Sequence, residues 1–544
     1  MTRLRPAARI GLLLAAAAAL LGWVVRHSET SFADGLRYIH QAEQIDHGAW
    51  RDGVIRGIDH PLHSLGIVAT HRLIGGEGPV SWERAALGWS FACVVLLVVP
   101  LSLLGRDLFG PEAAGLGCLL VIINPIVTNG IVNVLSESPF LLWWTWGFWG
   151  AVRFLREGRL AWLPLTIGCA VLAYLTRPEG LLLPAALVAA LLLSPLHRGT
   201  RLGWRQWWPA VAILVLGPMI LAGPYMAVKG GLGTKPGIGR VLGLAPDLPR
   251  ESLGRESPLP LDQTRWETYQ IAVGRTLKVL DVGVTTPLLP LAILGVVLAL
   301  VAARTGGPAA RTWLFLGVVV AASGLALVRL HATSGYLTAR HGLIPDMILI
   351  LAAAHGLGWL VRRAVAAGQR LGLAPRSLRP GPVFWGLGAA TALFSFPSLR
   401  SPGPQHADPC AVYQATGRLI AGQAAPTEQV LDLTEWSLFF SGRGGYVFAT
   451  VYEAAADPRV RWVVVRQAHL QGHWPFSKVL RTLIAGREPV VLVPPHARRG
   501  EYQVQIYDLT TAAWAAAAPG GNSRRPLPDA GSRMGTATAT HRWR

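Results

Sequence analysis

Residues 160–195 read LAWLPLTIGCAVLAYLTRPEGLLLPAALVAALLLSP, and this stretch decides the class of fold. Two nearly uncharged runs, at about 160–176 and 180–195, are joined by only a few polar residues. Apolar helices with so short a connection are typical of a hairpin that crosses a bilayer, whose hydrocarbon core is about 30 Å thick. Comparable runs recur outward from this hairpin along most of the chain, and they predict about eleven transmembrane helices. The predicted runs lie at about 9–25, 85–104, 112–131, 137–152, 160–176, 180–195, 208–228, 284–303, 312–330, 342–361 and 382–398.

The composition supports this interpretation. Of the 544 residues, 51% are hydrophobic and only 15% are charged, whereas an average soluble domain is about 25% charged. A net charge of +20 would suggest nucleic-acid binding in a soluble protein, but here the arginines lie in short connections between apolar runs. The four cysteines have neither metal spacing nor the pattern of a disulfide framework. The sequence therefore predicts a polytopic α-helical membrane protein that does not bind nucleic acid.

The distribution of arginine predicts the orientation. Arg3, Arg5 and Arg9 precede the first apolar run, which is long for a signal peptide and is interpreted as a retained span. Every second connection after it is also rich in arginine, so this set is expected to be cytoplasmic. The opposite side then carries the two long loops, at about 26–84 and 229–283. An odd number of spans places the C-terminal region outside as well, in the periplasm or extracellular space.

Three regions are predicted. Residues 1–398 form the transmembrane domain, 399–514 a small periplasmic α/β domain, and 515–544 a disordered tail rich in Ala, Gly, Pro and Arg. Within the second region, short strands alternate with amphipathic helices. The expected strands lie at about 430–433, 462–465, 490–493 and 502–507, and the expected helices at about 409–421 and 476–485.

Polar side chains that could carry chemistry collect in the connections assigned to the outer side. Each has an ordinary structural alternative: Asp34 suits a helix N-cap, His60 a helix start before Pro61, and Arg177 with Glu179 an interfacial anchor. An ionisable group such as Glu137 at membrane depth is nevertheless a candidate for function. Because all of these residues are assigned to the same side of the membrane, a shared functional site is favoured over separate structural roles. The candidates are Asp34, Asp59, His60, Glu137, Arg177, Glu179, Tyr336, Arg340 and His341.

Over about residues 8–360 the chain resembles membrane glycosyltransferases of the GT-C type. These include the protein O-mannosyltransferases and the bacterial aminoarabinose and polyprenyl-phosphate-sugar transferases. Each motif is short, and the ordered set carries the resemblance. The motifs are Ala33-Asp34-Gly35 with Tyr38 and Ala42, then His60-Pro61-Leu62, Ser136-Glu137, Leu175-Thr176-Arg177-Pro178-Glu179-Gly180, and Tyr336-Leu337-Thr338-Ala339-Arg340-His341 before Pro345.

The resemblance implies a multi-helix fold with an essential aspartate in a large first outer loop. It also implies an inverting transfer of sugar from a polyprenyl-phosphate donor. Asp34 corresponds to that aspartate and is expected to act as general base on the acceptor. Many relatives have a second acid after it, where this chain has Gly35. That departure leaves the participation of a metal or second carboxylate open; no cofactor is otherwise indicated.

The remaining candidates fit supporting roles in this chemistry. Arg340 and His341, with Arg177, could bind the donor phosphate, because guanidinium groups grip phosphate through paired hydrogen bonds. The other candidates would orient the sugar or these cations: Asp59, His60, Glu137, Glu179 and Tyr336. The acceptor could be a lipid, a glycan or a protein. The composition suggests a GC-rich bacterial genome and hence an inner membrane.

Two other functions remain open. A transporter or flippase for a lipid-linked or anionic substrate would explain many spans and interfacial charges, although transporters usually carry repeats and midplane sites. The second alternative is a catalytically inactive membrane scaffold whose function resides in the C-terminal domain. Transfer of sugar separates both from the glycosyltransferase hypothesis.

Overall fold

The computed structural model describes residues 6–26, 33–196, 203–233, 236–244, 265–304, 307–335, 337–395, 409–471, 475–495 and 503–510. The chain divides into two compact units, each described by itself. The first, here the helical unit, comprises Met1–His27, Gly57–Gly66 and Leu87–Gly403. The second, the mixed unit, comprises Ser28–Arg56, Ile67–Ala86 and Pro404–Arg544. The predicted tail, 515–544, and Tyr336 lie outside the described residues.

Helices dominate the described residues. They are α1 (Pro6–Arg26), α2 (Ala33–Asp46), α3 (Pro61–Ile74), α4 (Pro79–Phe109), α5 (Pro111–Ile122), α6 (Pro125–Val132), α7 (Glu137–Glu157), α8 (Leu163–Tyr174), α9 (Leu182–Leu193), α10 (Trp204–Lys229), α11 (Pro236–Val241), α12 (Arg265–Val284), α13 (Leu289–Ala303), α14 (Gly307–Ser334), α15 (Leu343–Arg370), α16 (Pro380–Ser395), α17 (Pro409–Gln423), α18 (Trp436–Ser441), α19 (Val451–Ala456), α20 (Gln467–Gln471) and α21 (Pro475–Leu483).

Helices lie at all eleven predicted apolar runs. Six helical segments within the described ranges are long and apolar enough to cross a membrane, or seven if the bent pair α5–α6 forms one span. Leu160–Tyr174 and Pro178–Leu193, which form the hairpin quoted above, are apolar but shorter. The predominantly helical, multi-span fold is confirmed, and the count of eleven crossings stays a prediction.

The break between α5 and α6 has a local cause. The two helices meet at 48°, and Asn124 lies between them. Its side-chain oxygen accepts a hydrogen bond from the Ile126 amide at 2.9 Å, which caps α6, while its amide nitrogen donates to the Gly283 carbonyl at 2.8 Å. Pro125 then begins α6, where a missing amide hydrogen is tolerated. This bend positions the turn that leads into α7.

The mixed unit contains a five-stranded sheet in the order β2-β1-β3-β5-β4. The centres of the parallel strands are buried and apolar, with Val430 and Leu431 in β1 and residues 462–465 in β3, as expected for a covered sheet. Because β1 runs parallel to both of its neighbours, three strands end at the same edge, while β5 is antiparallel to β3 and β4. The strands are β1 (Gln429–Asp432), β2 (Gly445–Val447), β3 (Val460–Arg466), β4 (Val491–Val493) and β5 (Val504–Asp508).

Candidate active site

A buried ion-pair cluster lies at the start of α7 in the helical unit. One guanidinium nitrogen of Arg177 donates to Glu137 Oε1 at 2.7 Å, and the other donates to Glu179 Oε1 at 2.9 Å. The Glu137 side chain is 4% exposed and that of Arg177 17%, so both are largely withdrawn from solvent. Arg177 also lies over the Phe140 ring, 5.8 Å from its centroid. A buried carboxylate here requires this cation, because an unpaired buried charge costs several kcal/mol.

Arg340 and His341 extend this cluster. Arg340 Nε lies 3.9 Å from Glu137 Oε1, and the charges of Arg177 and Glu179 act on the His341 imidazole. His341 Nδ1 is 3.0 Å from the Thr338 hydroxyl, which fixes the short helix Ala339–Gly342 before α15. Two arginines and a histidine therefore surround one buried carboxylate. With two arginines against Glu137 and the partly exposed Glu179, this arrangement can bind an anionic group at the cluster.

His60 lies between two tyrosine rings of the helical unit. The ring lies edge-on to Tyr174 at 4.9 Å and tilted against Tyr225 at 5.7 Å. Asp59, next to it, is buried, and its charge acts on Lys229, whose amine donates to the Gly57 carbonyl. These contacts join the loop before α3 to the ends of α8 and α10.

A strained turn precedes Glu137. Val134 is fully buried with φ +52°, a conformation that a β-branched residue rarely adopts. Its carbonyl lies 3.1 Å from His63 Nε2, and burial lowers the pKa of His63 to about 4, so this imidazole is neutral at pH 7 and can donate from Nε2. Strain of this kind costs about 1–3 kcal/mol and persists where packing enforces it. The turn aims Glu137 toward Arg177.

Asp34 belongs to the mixed unit, near the start of α2. Its Oδ1 accepts a hydrogen bond from Arg37 at 2.7 Å, and its side chain is 23% exposed. Asp34 lies in the first turn of the helix, where the dipole favours a carboxylate. A partly accessible carboxylate can serve as a general base.

The structure therefore brings seven of the predicted residues into one unit: Asp59, His60, Glu137, Arg177, Glu179, Arg340 and His341. It places Asp34 in the other. Sequence reasoning missed Asp346, which is buried in α15 with both carboxylate oxygens lacking a hydrogen-bond partner among the described residues. An acidic residue inside an apolar run is the signal that could have found it. It also missed Lys229 as a neighbour of Asp59.

No group of three or more His, Cys, Asp or Glu side chains in the described ranges is arranged to hold a metal ion. Around Glu137 the described charged groups form ion pairs, while Glu179 Oε2 is buried without a hydrogen-bond partner among the described residues.

Comparisons with known proteins agree with the resemblance found in the sequence. Residues 66–222 match the family model described as dolichyl-phosphate-mannose-protein mannosyltransferase. The matched range includes Glu137, Arg177 and Glu179. No curated protein sequence matches the chain significantly.

Solved structures share the fold. ArnT from Cupriavidus metallidurans, bound to undecaprenyl phosphate, aligns with TM-score 0.53 and 13% identity over 94% of this chain and 99% of its own. The oligosaccharyltransferase of Archaeoglobus fulgidus in the apo form aligns with TM-score 0.56 and 13% identity over 85% of this chain and 70% of its own. Archaeal AglB with an inhibitory peptide and a dolichol-phosphate gives TM-score 0.51 at 12% identity, over 84% and 69%. The predicted resemblance to GT-C glycosyltransferases is thus confirmed.

Proposed function

We propose that this chain transfers a sugar, with inversion, from a polyprenyl-phosphate donor to an acceptor on the non-cytoplasmic face, with Asp34 as general base. The observation that carries the proposal is the cluster of Arg177, Arg340 and His341 around the buried Glu137. Its two arginines supply fixed cations for a phosphate in a partly dry site, where such charges are most effective. The ligands of two structural neighbours support this donor class: undecaprenyl phosphate in ArnT and a dolichol-phosphate in AglB.

At the anomeric carbon the reaction forms one bond and breaks one, and a proton moves from the acceptor to the base. The acceptor atom, for example a hydroxyl oxygen, attacks the anomeric carbon, and the bond from that carbon to the phosphate oxygen breaks. The polyprenyl phosphate leaves with the bonding electrons, and Arg177 and Arg340 would balance its charge. The acceptor proton passes to Asp34. A phosphate leaving group needs little protonation, so one general base suffices.

The other predicted residues take supporting roles. Glu137 and Glu179 hold Arg177 in place through the hydrogen bonds described above. Asp59, His60 and Tyr336 would contact the sugar. Assignment of Asp34 and the cationic cluster to one reaction comes from the family resemblance, since the two belong to separate units. The acceptor is a lipid, a glycan or a protein, and participation of a divalent metal stays open.

We further propose eleven membrane crossings, with the N-terminus in the cytoplasm and the small C-terminal α/β domain outside, in a bacterial inner membrane. The positive-inside distribution of arginine supports this orientation.

The proposal is tested by sugar transfer from a panel of radiolabelled polyprenyl-phosphate sugars to endogenous acceptors in membranes. We expect the wild-type chain to transfer from at least one donor, and Asp34→Asn to lose about 10²- to 10⁴-fold of the rate while donor binding is kept. The substitution retains the size of the side chain and removes the base.

Asp46→Asn is the matched control. Asp46 lies at the end of the same helix, is also 23% exposed, and accepts a hydrogen bond from Arg72 at 2.7 Å, like Asp34 from Arg37. We expect wild-type activity from this variant. Equal activity of Asp34→Asn and Asp46→Asn would remove Asp34 from the mechanism, and translocation of the donor without transfer would favour the flippase instead.

A further inference from the structure

A second acid lies near enough to Asp34 for their charges to interact, although none follows Asp34 directly in the sequence. Glu435 stands on the segment Asp432-Leu433-Thr434-Glu435, which leaves β1 at the edge where the three parallel strands end. In α/β sheets this edge is where ligand-binding and catalytic groups gather. Glu435 immediately precedes α18, and the Phe439 ring of α18 meets the His40 ring of α2 edge-on at 5.7 Å. The α18 segment therefore packs against the helix that carries Asp34.

The charged groups around Glu435 come from both packed elements. Asp34 and Arg37 of α2 act on its carboxyl from one side, and Asp432 acts from its own segment. Glu435 is only 6% exposed. Burial, followed by the charge of Asp432, raises the pKa of Glu435 to about 8; Arg37 lowers it and Asp34 raises it. Glu435 is accordingly neutral at pH 7, beside an Asp34 that is paired with Arg37.

Asp432 cannot take the same role, because its oxygens are already used. One accepts from the Thr434 amide and hydroxyl, each at 2.7 Å, and the other accepts from the Leu438 amide at 2.7 Å. These bonds hold the turn and cap α18. By contrast, no side-chain hydrogen bond of Glu435 is found among the described residues.

The backbone at Glu435 is also unusual. Its φ of +62° and ψ of −37° lie in a region that glycine adopts freely and other residues rarely do. Such strain clusters at functional sites, where surrounding packing enforces it. Glutamate at this position thus lowers the stability of the fold in two ways, through a strained backbone and a buried carboxyl. Neither packing nor hydrogen bonding of the turn requires it.

From this juxtaposition we propose that Glu435, supplied by the C-terminal part of the chain, is the second carboxyl of the Asp34 site and a positioning residue for the transfer reaction. The inference rests on the proposed function. When Glu435 is neutral, the negative charge of the pair lies on Asp34. A neutral carboxyl can also donate a hydrogen bond, whereas an ionised carboxylate can only accept one. During transfer, the acceptor proton goes to Asp34 and the proton on Glu435 stays in place.

The test compares the pH dependence of sugar transfer between wild type and Glu435→Gln. Ionisation of Glu435 would place a second negative charge beside Asp34, so we expect wild-type kcat/KM to fall as the pH rises through about 8. The amide of Glu435→Gln stays neutral and can still donate, so its profile should lose this alkaline fall while the rate at pH 7 stays within about tenfold of wild type. Glu435→Ala, which cannot donate a hydrogen bond, should lose more than tenfold of the wild-type rate at pH 7. Glu453→Gln, an exposed glutamate of α19, is the control and should follow wild type.

Folding is separated from function by thermal unfolding. Because the folded pKa of Glu435 is raised, its burial opposes folding increasingly as the pH rises from the ordinary glutamate range toward 8, so Glu435→Gln should melt no lower than wild type at pH 8. The shifts in melting temperature of Asp34→Asn and Glu435→Gln should also be non-additive in the double variant, because the two groups interact.

The possible results separate the role of Glu435 from the glycosyltransferase activity itself. Transfer by wild type with an identical alkaline profile in Glu435→Gln, or additive melting shifts, would overturn the role of Glu435 and leave the glycosyltransferase proposal standing. Absence of transfer from every donor by the folded wild-type protein would overturn both.

Discussion

At the residue scale, Arg177 is the side chain on which the ion-pair cluster around Glu137 depends. It is followed by Pro178, so its backbone is held extended and its side chain can reach Glu137, forty positions earlier. A single guanidinium serves two carboxylates through separate nitrogens. Lysine could not replace it, because an ammonium lacks this fork.

Removal of one partner of this buried pair should destabilise the protein, and removal of both should not. We expect Arg177→Gln to lower the free energy of unfolding by about 3–5 kcal/mol, since the buried Glu137 loses its hydrogen-bonded cation and keeps only Arg340, at 3.9 Å. The double variant Arg177→Gln/Glu137→Gln should recover most of that loss. Thermal unfolding in detergent measures both effects.

The exposed pair Arg72–Asp46 provides the control, because its atoms are also 2.7 Å apart but Arg72 is largely in solvent. Arg72→Gln should have a much smaller effect. If the double variant of the buried pair were as unstable as Arg177→Gln, an unpaired Glu137 would not be the cause.

At the element scale, α13 and α15 approach closely because glycine removes side chains from their interface. A Cβ built at Gly295 would lie 1.9 Å from the Ala352 carbonyl oxygen, and one at Gly356 would lie 2.2 Å from the Leu291 carbonyl oxygen. Small residues at such contacts let helix backbones pack tightly, which is a main source of association where lipid surrounds the bundle. Since α15 follows Arg340 and His341 directly, its position also sets theirs.

Gly295→Ala should therefore force α13 away from α15. We expect a loss of about 1–3 kcal/mol in the free energy of unfolding, as in other overpacked cores, with a higher KM for the donor if Arg340 moves. Gly324→Ala in α14 is the matched control, because nothing lies within 4 Å of its Cβ position, and it should be neutral or slightly stabilising. Equal stability of the two variants would show that the α13–α15 contact is not tight.

At the scale of the whole molecule, the proposed orientation assigns opposite sides to two exposed positions. Arg363 lies near the C-terminal end of α15 and is expected in the cytoplasm, whereas Glu453 of the mixed unit is expected outside. Cys93, Cys118 and Cys169 are buried, so Cys410→Ser supplies a suitable background for labelling.

In that background, an impermeant maleimide should label Glu453→Cys in intact cells or spheroplasts, and Arg363→Cys only after permeabilisation. Labelling of both only after permeabilisation would place the mixed unit in the cytoplasm and contradict the proposed side of the reaction. Labelling of Arg363→Cys alone in intact cells would reverse the whole topology.

The sequence by itself determined which segments are suited to a lipid bilayer and which to water. Hydrophobicity is summed over neighbouring residues, so runs such as 160–176 and 180–195 identify helices for a bilayer without knowledge of their partners. The same local information, in ordered motifs such as Leu175-Thr176-Arg177-Pro178-Glu179-Gly180, carried the resemblance that the comparisons confirm. The number of crossings is harder to predict from sequence, because whether a short apolar helix crosses the membrane depends on the helices packed around it.

Tertiary structure alone decided which side chains meet. Contact between Glu137 and Arg177 depends on the packing of α7 against α8 and on the strained turn at Val134, and no local pattern encodes either. The short strand β2 is stabilised by its pairing with β1 and was not predicted for the same reason. Glu435 is the clearest case. The sequence shows Gly35 where an acid was expected, and only the packing of α18 on α2 brings a carboxyl from four hundred positions away to Asp34, because long-range contacts follow from the shapes of packed elements rather than from neighbouring residues.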